Sequence, residues 1–508
     1  MPPDWKRGMT LAELRSSGLE GRISGSAEAL VTGVQHDSRQ VRPGDLFVAM
    51  RGASYDGARF VDDALSRGAA AIMAEQRLPH DVPQLTVTDA RLGLGRAAEL
   101  VYGSPTRVLH TVGITGTNGK TTTVYLLKRA IDSSRGSAAL VGTAGLVHGD
   151  VERASLHTTP EADDISRFAR EALDDGATHL VLEVSSHGLA LRRVDALSFE
   201  VAAFTNLSRD HLDFHGTLEA YFEAKARLFT ELAPAAAVIN VDDPFGARLA
   251  QQLSTGVIRC SRHSGSDAEI RARTWSAKRE GIEADVETPE GPLKLKSPML
   301  GEHNLENLLV ALGCAYALGL DLHAVAAAWR TAGGSPGRLE QVPHPNDVAV
   351  IVDYAHTPDA LRRVLETMRA ITPNRLIVVF GAGGDRDKGK RPEMGRVAAE
   401  GADLCVLTSD NPRSEDPVRI LEQVEVGVQQ AGATRIDPSD VDAASRGYCL
   451  LVDRRDAIRC AIRAAVPGDT VLVAGKGHET YQIIGTERTA FDDRKEARAA
   501  IDALLGGA

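Results

Sequence analysis

The chain has 508 residues, 43% apolar and 25% charged, a composition typical of a globular protein with about three domains. Asp and Glu total 69 against 58 Lys and Arg, and the net charge of −11 argues against nucleic-acid or anionic-membrane partners. The five cysteines form no CxxC pair, and no window offers about 18 continuous apolar residues. We therefore expect a cytoplasmic protein without disulfides, zinc knuckles or membrane spans.

Apolar strand-like runs alternate with helical patterns along the chain. The clearest runs cover residues 109–115, 179–185, 348–354, 375–380, 403–409 and 469–475. This alternation predicts an α/β fold with parallel sheets, and residues 263–299 form a polar, β-rich stretch between them. Turn-forming sequences at 103–105 and 333–340 indicate joints between domains. We predict three domains, over residues 1–107, 108–338 and 339–508.

The segment GITGTNGKTTT, residues 113–123, lies between a predicted strand and an amphipathic helix. It reads GxxGKT from Gly116 to Thr121, shorter than the usual GxxxxGK[ST] pattern, yet it keeps a helix amino terminus, Lys120 and a hydroxyl that can bind Mg²⁺. The alternative is a glycine turn made only for tight packing. Glu183 closes the run HLVLEV and is a candidate metal ligand, although a lone Glu at a strand end is often a surface residue.

Lys225 lies on the apolar stripe of a predicted helix in YFEAKARLF, three residues after Phe222 and four before Phe229. Burial would lower the pKa of its ammonium, and the neutral amine could act as a nucleophile or be carbamylated by CO₂. The simpler alternative is that the side chain extends to solvent. The nearby Asp210, His211, Asp213 and His215 are either loop residues or Mg²⁺ ligands, and their spacing does not decide between these.

Together, an ordered set of motifs resembles the Mur ligases over nearly the whole chain, from Asp37 to the GHETYQ segment. The motifs are GTNGKTT, EVSSHG, TNLSRDHLDFHG, YFEAKARL, GEHNLENLL, PGRLE, VDYAHTPDAL, GGDRDKGKRPEM, DNPR and AGKGHE. The resemblance implies a cytoplasmic enzyme of bacterial peptidoglycan synthesis. It also implies an N-terminal UDP-binding α/β domain, a central P-loop ATPase sheet and a C-terminal Rossmann-like domain.

The resemblance assigns roles in ATP and metal binding. It makes Lys120, Glu183, His211 and Lys225 catalytic, with Thr121 and Glu183 on one Mg²⁺ and His211 and a carbamylated Lys225 on a second. The implied ATP-binding residues are Gly116, Thr117, Asn118, Gly119, Lys120, Thr121, Thr122, His303, Asn304, Asn307, Arg338 and Asp353. Without the resemblance, HNxxN at a helix start indicates ordinary capping.

The resemblance also implies where the substrate UDP-MurNAc-L-Ala-D-Glu binds. The uridine site would use Ser38 and the GASYDG loop of residues 52–57, and the muramoyl dipeptide site would use Thr158, Thr159, Ser185 and Arg193. A Ser in such a turn is otherwise a local hydrogen-bonding residue. His157 and Leu191 replace amides that some relatives carry, which leaves two flanking contacts open.

In the last domain, polar residues follow apolar strands, and the carboxyl ends of parallel strands converge on one crevice. The resemblance, and its DNPR signature in particular, implies that this crevice binds meso-diaminopimelate. Arg413 could clasp the distal carboxylate, while Asp410, Asn411 and Glu479 accept from the ammonium. The full implied set is Arg386, Asp410, Asn411, Pro412, Arg413, Gly475 and Glu479. A solvent-exposed DNP turn is the alternative.

The implied reaction is ATP-driven amide formation by a monomer. The D-glutamate carboxylate attacks the γ-phosphorus, and the diaminopimelate amine then attacks the acyl phosphate. Three alternatives stay open: a ligase for another amine such as lysine, an enzyme resembling folylpolyglutamate synthetase, and a nucleotide-regulated binding protein. A nicotinamide enzyme is disfavoured because Arg386 stands where GxGxxG requires its third glycine.

Overall fold

The computed structural model describes residues 5–52, 56–254, 256–331, 334–443 and 445–506. These residues fall into two compact units. The first draws on Met1–Arg273, Val286–Leu293 and Glu306–Ala328, and the second on Thr274–Asp285, Lys294–Leu305 and Trp329–Ala508. The predicted first and central domains thus belong largely to one unit. The boundaries at 107 and 338 stay predictions, and residues 53–55 of the GASYDG loop lie outside the described residues.

The amino-terminal part of the first unit is built on a mostly parallel sheet. In spatial order its strands are Arg22–Ser24, Gln84–Thr86, Ala71–Ala74, Asp45–Val48 and Gly33–Gln35. Only the first of these pairings is antiparallel. Strands Met9–Thr10 and Leu30–Val31 form a separate antiparallel pair. Helix Ala90–Val101 packs on this sheet through Leu94, Ala97 and Val101, and these side chains belong to the same apolar core as strand residues Leu46 and Met73.

A second sheet forms the centre of the first unit. In spatial order its strands are Val151–Arg153, Gly145–His148, Ala138–Gly142, His179–Glu183, His110–Thr115, Val201–Phe204, Ala236–Asn240 and Val257–Ser261. From Ala138–Gly142 onward these pairings are parallel. Ile270 then pairs with Cys260, and the predicted polar β-rich stretch is confirmed as strands Ile270–Lys278, Gly281–Thr288 and Gly291–Ser297.

Helices flank these sheets. Those of residues 1–330 are Leu11–Ser16, Val61–Ser66, Ala90–Val101, Pro105–Val108, Lys120–Ser133, Ala162–Asp174, Ser186–Ala190, Leu212–His215, Leu218–Thr230, Pro244–Gln252, Glu302–Ala317 and Leu322–Trp329, with 3₁₀ turns at Trp5–Arg7, Ser38–Gln40 and Gly57–Phe60. In Lys120–Ser133 the predicted apolar face is confirmed, because Val124, Leu127 and Ile131 are buried.

The second unit is built around a sheet with helices on both faces. In spatial order its strands are Glu340–Val342, Ala349–Asp353, Thr470–Ala474, Leu376–Phe380, Leu404–Leu407 and Gly447–Leu450. All pairings are parallel except the first. In Leu376–Phe380, Val378 packs into the core on one face and Val379 into the core on the other. Successive side chains of a strand point to opposite faces, which is why this run is apolar throughout.

The helices of the second unit are Pro358–Ile371, Lys390–Gly401, Pro417–Gln430, Arg454–Ala464 and Asp493–Gly506, with a 3₁₀ turn at Val441–Ala443 and an antiparallel pair of strands, Tyr481–Ile484 and Glu487–Ala490. All five cysteines are free thiols, and all five are buried, which the sequence did not predict. Within the described ranges, no helix combines the length and apolar character needed to span a membrane.

Candidate active site

The glycine loop lies at the carboxyl end of strand His110–Thr115 and leads directly into helix Lys120–Ser133, as the sequence predicts. Gly119 takes a left-handed φ of 85°, and a Cβ there would lie 2.2 Å from Oδ1 of Asn307. A larger residue would therefore clash and strain the backbone. Gly119 precedes the helix and has no side chain to cap its first backbone N–H groups, and helix ends of this kind bind anions readily.

Two lysines meet the carbonyl oxygen of Gly116. Lys120 Nζ donates to it at 2.9 Å, and also to the carbonyl of Thr117 at 2.9 Å. Lys225 Nζ donates to the same Gly116 oxygen at 2.8 Å, although it lies 109 residues further along the chain. The structure thus brings the predicted phosphate-loop lysine and the predicted carbamylated lysine to one backbone atom.

Glu183 is buried at the end of strand His179–Glu183, so the surface-residue alternative is wrong. Its Oε2 accepts from the hydroxyl of Thr121 at 2.8 Å, and its Oε1 accepts from the backbone N–H of Thr143 at 2.9 Å. The hydroxyl of Thr143 also contacts that of Thr158 at 3.3 Å. These oxygen atoms are of the hard type that Mg²⁺ prefers, and the donor set therefore fits the ion.

Lys225 does not extend to solvent, because only 1% of the residue is exposed. It lies on the buried face of helix Leu218–Thr230 with Tyr221, Phe222 and Phe229, and its Nζ is 4.7 Å from the ring centroid of Tyr221. Burial lowers the pKa of Lys225 most strongly, and the nearby positive charge of Lys120 lowers it further. Asp210 raises it by less, so the pKa stays well below its ordinary value. The solvent-exposed alternative is therefore wrong, and a neutral amine is favoured.

His211 lies outside this buried pocket, on a half-exposed turn with a left-handed φ of 51°. Its ring centroid is 6.1 Å from that of Tyr221 and 4.9 Å from that of His187. His215 lies 5.1 Å from Tyr221, and burial lowers the pKa of both His187 and His215. His187 was not predicted as a site residue. Within the EVSSHG motif, only Glu183 and Ser185 were assigned roles. The metal-ligand role of His211 stays a prediction.

The predicted muramoyl-dipeptide residues converge beyond the same strand. Thr159 Oγ1 donates to the carbonyl of Glu183 at 2.9 Å and lies 3.0 Å from Oγ of Ser185. Arg193 donates from Nη1 to the carbonyl of Thr159 at 2.9 Å. Ser38 is a buried residue of the amino-terminal 3₁₀ turn Ser38–Gln40. The substrate roles of all these residues stay predictions.

Three other predicted ATP-binding residues, His303, Asn304 and Asn307, are divided between the two units. In the first unit, Asn307 packs against Gly119 of the loop. In the second unit, Asn304 donates from Nδ2 to the carbonyl of Leu300 at 2.8 Å. His303, also in the second unit, is exposed near the start of its helix.

Asp353 lies in the second unit with Arg338. Its carboxylate accepts from the N–H groups of Leu339 and Ala355, each at 2.8 Å. Burial raises the pKa of Asp353 above its ordinary value, and the positive charge of Arg338 only partly offsets this rise. The guanidinium of Arg338 lies 5.0 Å from the ring centroid of Tyr354.

In the second unit, the predicted amino-acid residues meet at the carboxyl ends of the parallel strands. Asn411 Nδ2 donates to Glu479 at 2.9 Å. Gly475 has a φ of +120°, and a Cβ there would lie 2.6 Å from Oδ2 of Asp410. Arg413 is half-buried and donates from Nη1 to the carbonyl of Gly384 at 2.8 Å, so the solvent-exposed DNP turn is wrong. Pro412 is buried beside it, whereas Arg386 is exposed and donates to the carbonyl of Asp385.

Two buried cations behind this crevice were missed as individual site residues. Lys476 is fully buried and donates to Glu479 Oε2 at 3.0 Å and to Asn411 Oδ1 at 3.2 Å. Arg454 pairs with Asp493 at 2.7 Å, both side chains being fully buried, and donates to the carbonyl of Ala474 at 2.9 Å. Lys476 could have been read from AGKGHE, but no local pattern separates Arg454 from a surface arginine.

The fold and the site define a multidomain α/β protein with a glycine loop between a strand of its central sheet and the helix Lys120–Ser133. Three domain families match the chain: the Mur ligase family catalytic domain over residues 30–100, the Mur ligase middle domain over 114–315, and the Mur ligase glutamate ligase domain over 337–477. The chain belongs to the Mur ligase family.

Relatives and solved structures agree with this membership. The chain is 45% identical to the "UDP-N-acetylmuramoyl-L-alanyl-D-glutamate--2,6-diaminopimelate ligase" of Geobacter metallireducens, over 94% of this chain and 96% of that protein. It is 40% identical to the enzyme of the same name from Geobacillus thermodenitrificans, over 93% and 95%. A solved structure of a ligase of that name is 36% identical with a TM-score of 0.73, over 98% of this chain and 99% of the other.

A more distant structure shares the fold. The MurF ligase of Thermotoga maritima, solved in complex with ADP, is 20% identical with a TM-score of 0.58, over 94% of this chain and 98% of that one. The predicted three-domain α/β architecture of a Mur ligase is thereby confirmed.

Proposed function

We propose that this chain is an ATP-dependent ligase that joins meso-2,6-diaminopimelate to UDP-N-acetylmuramoyl-L-alanyl-D-glutamate in bacterial peptidoglycan synthesis. The observation that carries the proposal is the crevice of the second unit, where Asp410, Asn411, Arg413 and Glu479 bring acceptors and a guanidinium together. The relatives that share 40% and 45% identity over nearly the whole chain carry the name of this reaction.

The triphosphate would bind at the glycine loop, on the open amino end of helix Lys120–Ser133 and beside Lys120. Thr121 and Glu183 would hold a Mg²⁺ ion, because their oxygens lie 2.8 Å apart beside the loop. When bound, the ion would neutralise charge on the phosphates as the D-glutamate carboxylate attacks the γ-phosphorus. Lys120 would stabilise the same developing charge from the protein side.

Lys225 would be carbamylated. CO₂ reacts with a neutral amine, and the buried position of Lys225 favours that form. The nitrogen would form a bond to the carbon of CO₂ and release a proton to water, leaving an anionic carbamate whose remaining N–H could still donate to the carbonyl of Gly116, 2.8 Å from Nζ. That anion, with His211, would supply oxygen and nitrogen ligands for a second Mg²⁺ ion.

The muramoyl dipeptide would bind beside Glu183, where Thr159, Ser185 and Arg193 already meet. Thr158 would join them through its contact with Thr143. The uridine end would bind at Ser38 in the amino-terminal sheet region. The substrate would therefore lie along the first unit, with its D-glutamate carboxylate directed to the loop.

The crevice would select diaminopimelate over lysine by charge. Diaminopimelate carries a carboxylate and an ammonium at each end, and lysine lacks the distal carboxylate. Arg413 would clasp that carboxylate, while Asp410 and Glu479 would accept from the ammonium. With lysine bound, the half-buried guanidinium would lose its partner, and sites of this kind reject such analogues by about 10⁴-fold.

The decisive experiment supplies UDP-MurNAc-L-Ala-D-Glu, ATP and Mg²⁺ with either meso-diaminopimelate or lysine, and weighs the products by mass spectrometry. We expect a product that contains diaminopimelate and ADP release that depends on the amine. Exclusive addition of lysine would contradict the proposed substrate. ADP release without an amine, and without a new amide, would favour a nucleotide-regulated binding protein.

A further inference from the structure

Glu161 lies immediately before helix Ala162–Asp174, in the position that usually caps the first backbone N–H groups. Its side chain caps none of them. It is directed instead to two arginines, accepting from Arg193 Nε at 2.9 Å and from Arg91 Nη1 at 2.8 Å. Two charge-assisted hydrogen bonds from arginines therefore set the position of its carboxylate.

The contact with Glu161 fixes the guanidinium of Arg193. Nε donates to Glu161 and Nη1 donates to the carbonyl of Thr159 at 2.9 Å, so two sides of the planar group are held. The Arg193 side chain is only 9% exposed. Within the described part of the chain, Nη2 of Arg193 has no hydrogen-bond partner, and it remains available to a ligand oxygen.

Arg91 reaches Glu161 from a different part of the first unit. It lies in the first turn of helix Ala90–Val101, which packs on the amino-terminal sheet. The neighbouring Asp89 accepts from Arg192 at 3.4 Å. Two consecutive arginines of the predicted dipeptide region, 192 and 193, are therefore linked to the beginning of one amino-terminal helix.

A second ion pair joins the same two regions. His36 Nδ1 lies 2.8 Å from Oδ2 of Asp163, in the first turn of helix Ala162–Asp174. His36 is two residues before Ser38, the predicted uridine-site residue. The amino end of one helix thus holds both the region of Ser38 and the guanidinium of Arg193.

We infer that Glu161 is a positioning residue for the nucleotide-sugar peptide substrate. It aims Arg193 at a carboxylate of the dipeptide and, through Arg91, keeps that group in register with the part of the unit that would bind the uridine end. The inference rests on the proposed function, because it takes the muramoyl dipeptide as the ligand of Arg193. Glu161 acts through Arg193 and touches no reacting atom.

A double-mutant cycle separates this role from a purely structural one. Glu161→Gln keeps the shape of the side chain and removes its charge, and we expect the KM for UDP-MurNAc-L-Ala-D-Glu to rise about tenfold, in line with a lost charge-assisted hydrogen bond. The KM for ATP and the kcat at saturating substrate should change less than about twofold. In an Arg193→Ala background, Glu161→Gln should add nothing, because Arg193, through which Glu161 acts on the substrate, is absent.

Glu171→Gln is the matched control. Glu171 lies on the same helix and pairs with Arg153 on the surface at 2.6 Å, so its removal should leave every KM unchanged. Arg91→Ala tests the same network at a more exposed position, and we expect a smaller rise in the same KM. This variant also decides the matter if Glu161→Gln does not fold.

Calorimetric titration of the wild-type protein with UDP-MurNAc-L-Ala-D-Glu keeps the two proposals distinguishable. Absence of binding to the wild type would contradict the proposed function. Normal binding by the wild type, with an unchanged KM in both Glu161→Gln and Arg91→Ala, would overturn the positioning role. An equal effect of Glu161→Gln with and without Arg193 would overturn it as well.

Discussion

The glycine loop and the amino-acid crevice hold their basic side chains in different ways. At the loop, Lys120 and Lys225 donate to the carbonyl of Gly116, which carries only a partial charge. In the crevice, Lys476 donates to the carboxylate of Glu479, and Arg454 behind it pairs with Asp493. A loop whose Lys120 is held by backbone carbonyls suits an anionic ligand, whereas a crevice of paired charges suits a zwitterion. Changes at the loop should therefore slow the reaction itself, and changes in the crevice should alter which amino acid reacts.

The largest expected effect is at the loop. Lys225→Ala removes the amine that would become a carbamate, and we expect kcat to fall by about 10³-fold, as when a group that stabilises transition-state charge is lost. Added bicarbonate should not restore turnover, because alanine has no amine. Steady-state ADP release measures this. The control is Lys128→Ala, which removes a lysine paired with Asp132 on helix Lys120–Ser133 and should leave turnover nearly unchanged. Near-normal turnover of Lys225→Ala would refute the carbamate assignment.

The crevice should respond in selectivity. Arg413→Ala removes the proposed clasp for the distal carboxylate, and we expect the KM for diaminopimelate to rise about 10²-fold, as for loss of a bidentate charged contact. The preference over lysine should shrink by a similar factor, while the KM for ATP stays constant. Competition between the two amines, followed by mass spectrometry, measures the ratio. The control is Arg419→Ala, which removes an exposed arginine of the next helix. Unchanged selectivity in Arg413→Ala would contradict the proposed binding of the distal carboxylate by Arg413.

A smaller effect is expected from crowding the crevice without changing its charge. Gly475→Ala places a methyl group 2.6 Å from Oδ2 of Asp410 and keeps a strained φ of +120°. We expect the KM for diaminopimelate to rise about tenfold through displacement of that carboxylate. Gly432→Ala has a φ of +80° with no atom within 4 Å, so it carries the strain without the contact. Equal kinetics in the two variants would show that the methyl contact with Asp410 is irrelevant.

The smallest expected effect comes from the pair of His36 and Asp163. It tests whether an acidic partner outweighs burial in setting the pKa of a histidine. Burial lowers the pKa of His36, but attraction to Asp163 and its hydrogen bond, with Asp164 and Glu161 nearby, outweighs burial and raises the pKa to about 9. Because the folded-state pKa exceeds the ordinary 6.5, the stabilisation is complete below pH about 6.5 and is lost as the pH rises through about 9.

Urea unfolding at pH 6 and at pH 9.5 measures this contribution. The free energy of unfolding should fall by about 1 kcal/mol more in the wild type than in His36→Gln, after allowance for solvent screening of the pair. His110→Gln is the control, since its pairing with Glu200 is more than half exposed at the histidine. Parallel pH dependence in the wild type and His36→Gln would show that the buried pair adds nothing.

The loop could be predicted from the sequence because its parts are contiguous. A strand, two glycines, a lysine and a threonine between residues 113 and 121 specify the backbone path that the structure has. Helical spacing also placed Lys225 on an apolar stripe, but it left open whether the side chain extends to solvent, and only the structure shows that it is buried. What spacing could not give is its contact with Gly116, which depends on how distant segments pack.

The crevice could be predicted only in part. Strand ends indicated that Asp410, Asn411 and Glu479 converge, but Arg454 and Asp493 belong to two helices whose sequences resemble ordinary charged surfaces. Glu161 was missed for a similar reason, because no local pattern around this glutamate indicates partners in distant segments. Its actual partners lie 32 and 70 residues away in the chain. Long-range charge pairing leaves no periodic signal in a sequence.

Because all five thiols are buried, their reaction with an added reagent measures local unfolding of the native protein. Cys260 and Cys314 lie in the first unit, and Cys405, Cys449 and Cys460 lie in the second. An alkylating reagent applied to the native protein should react slowly with all of them, and mild denaturant should expose the thiols of whichever unit loosens first. Counting two or three early adducts would therefore tell, without any engineered label, which half of the molecule is the less stable.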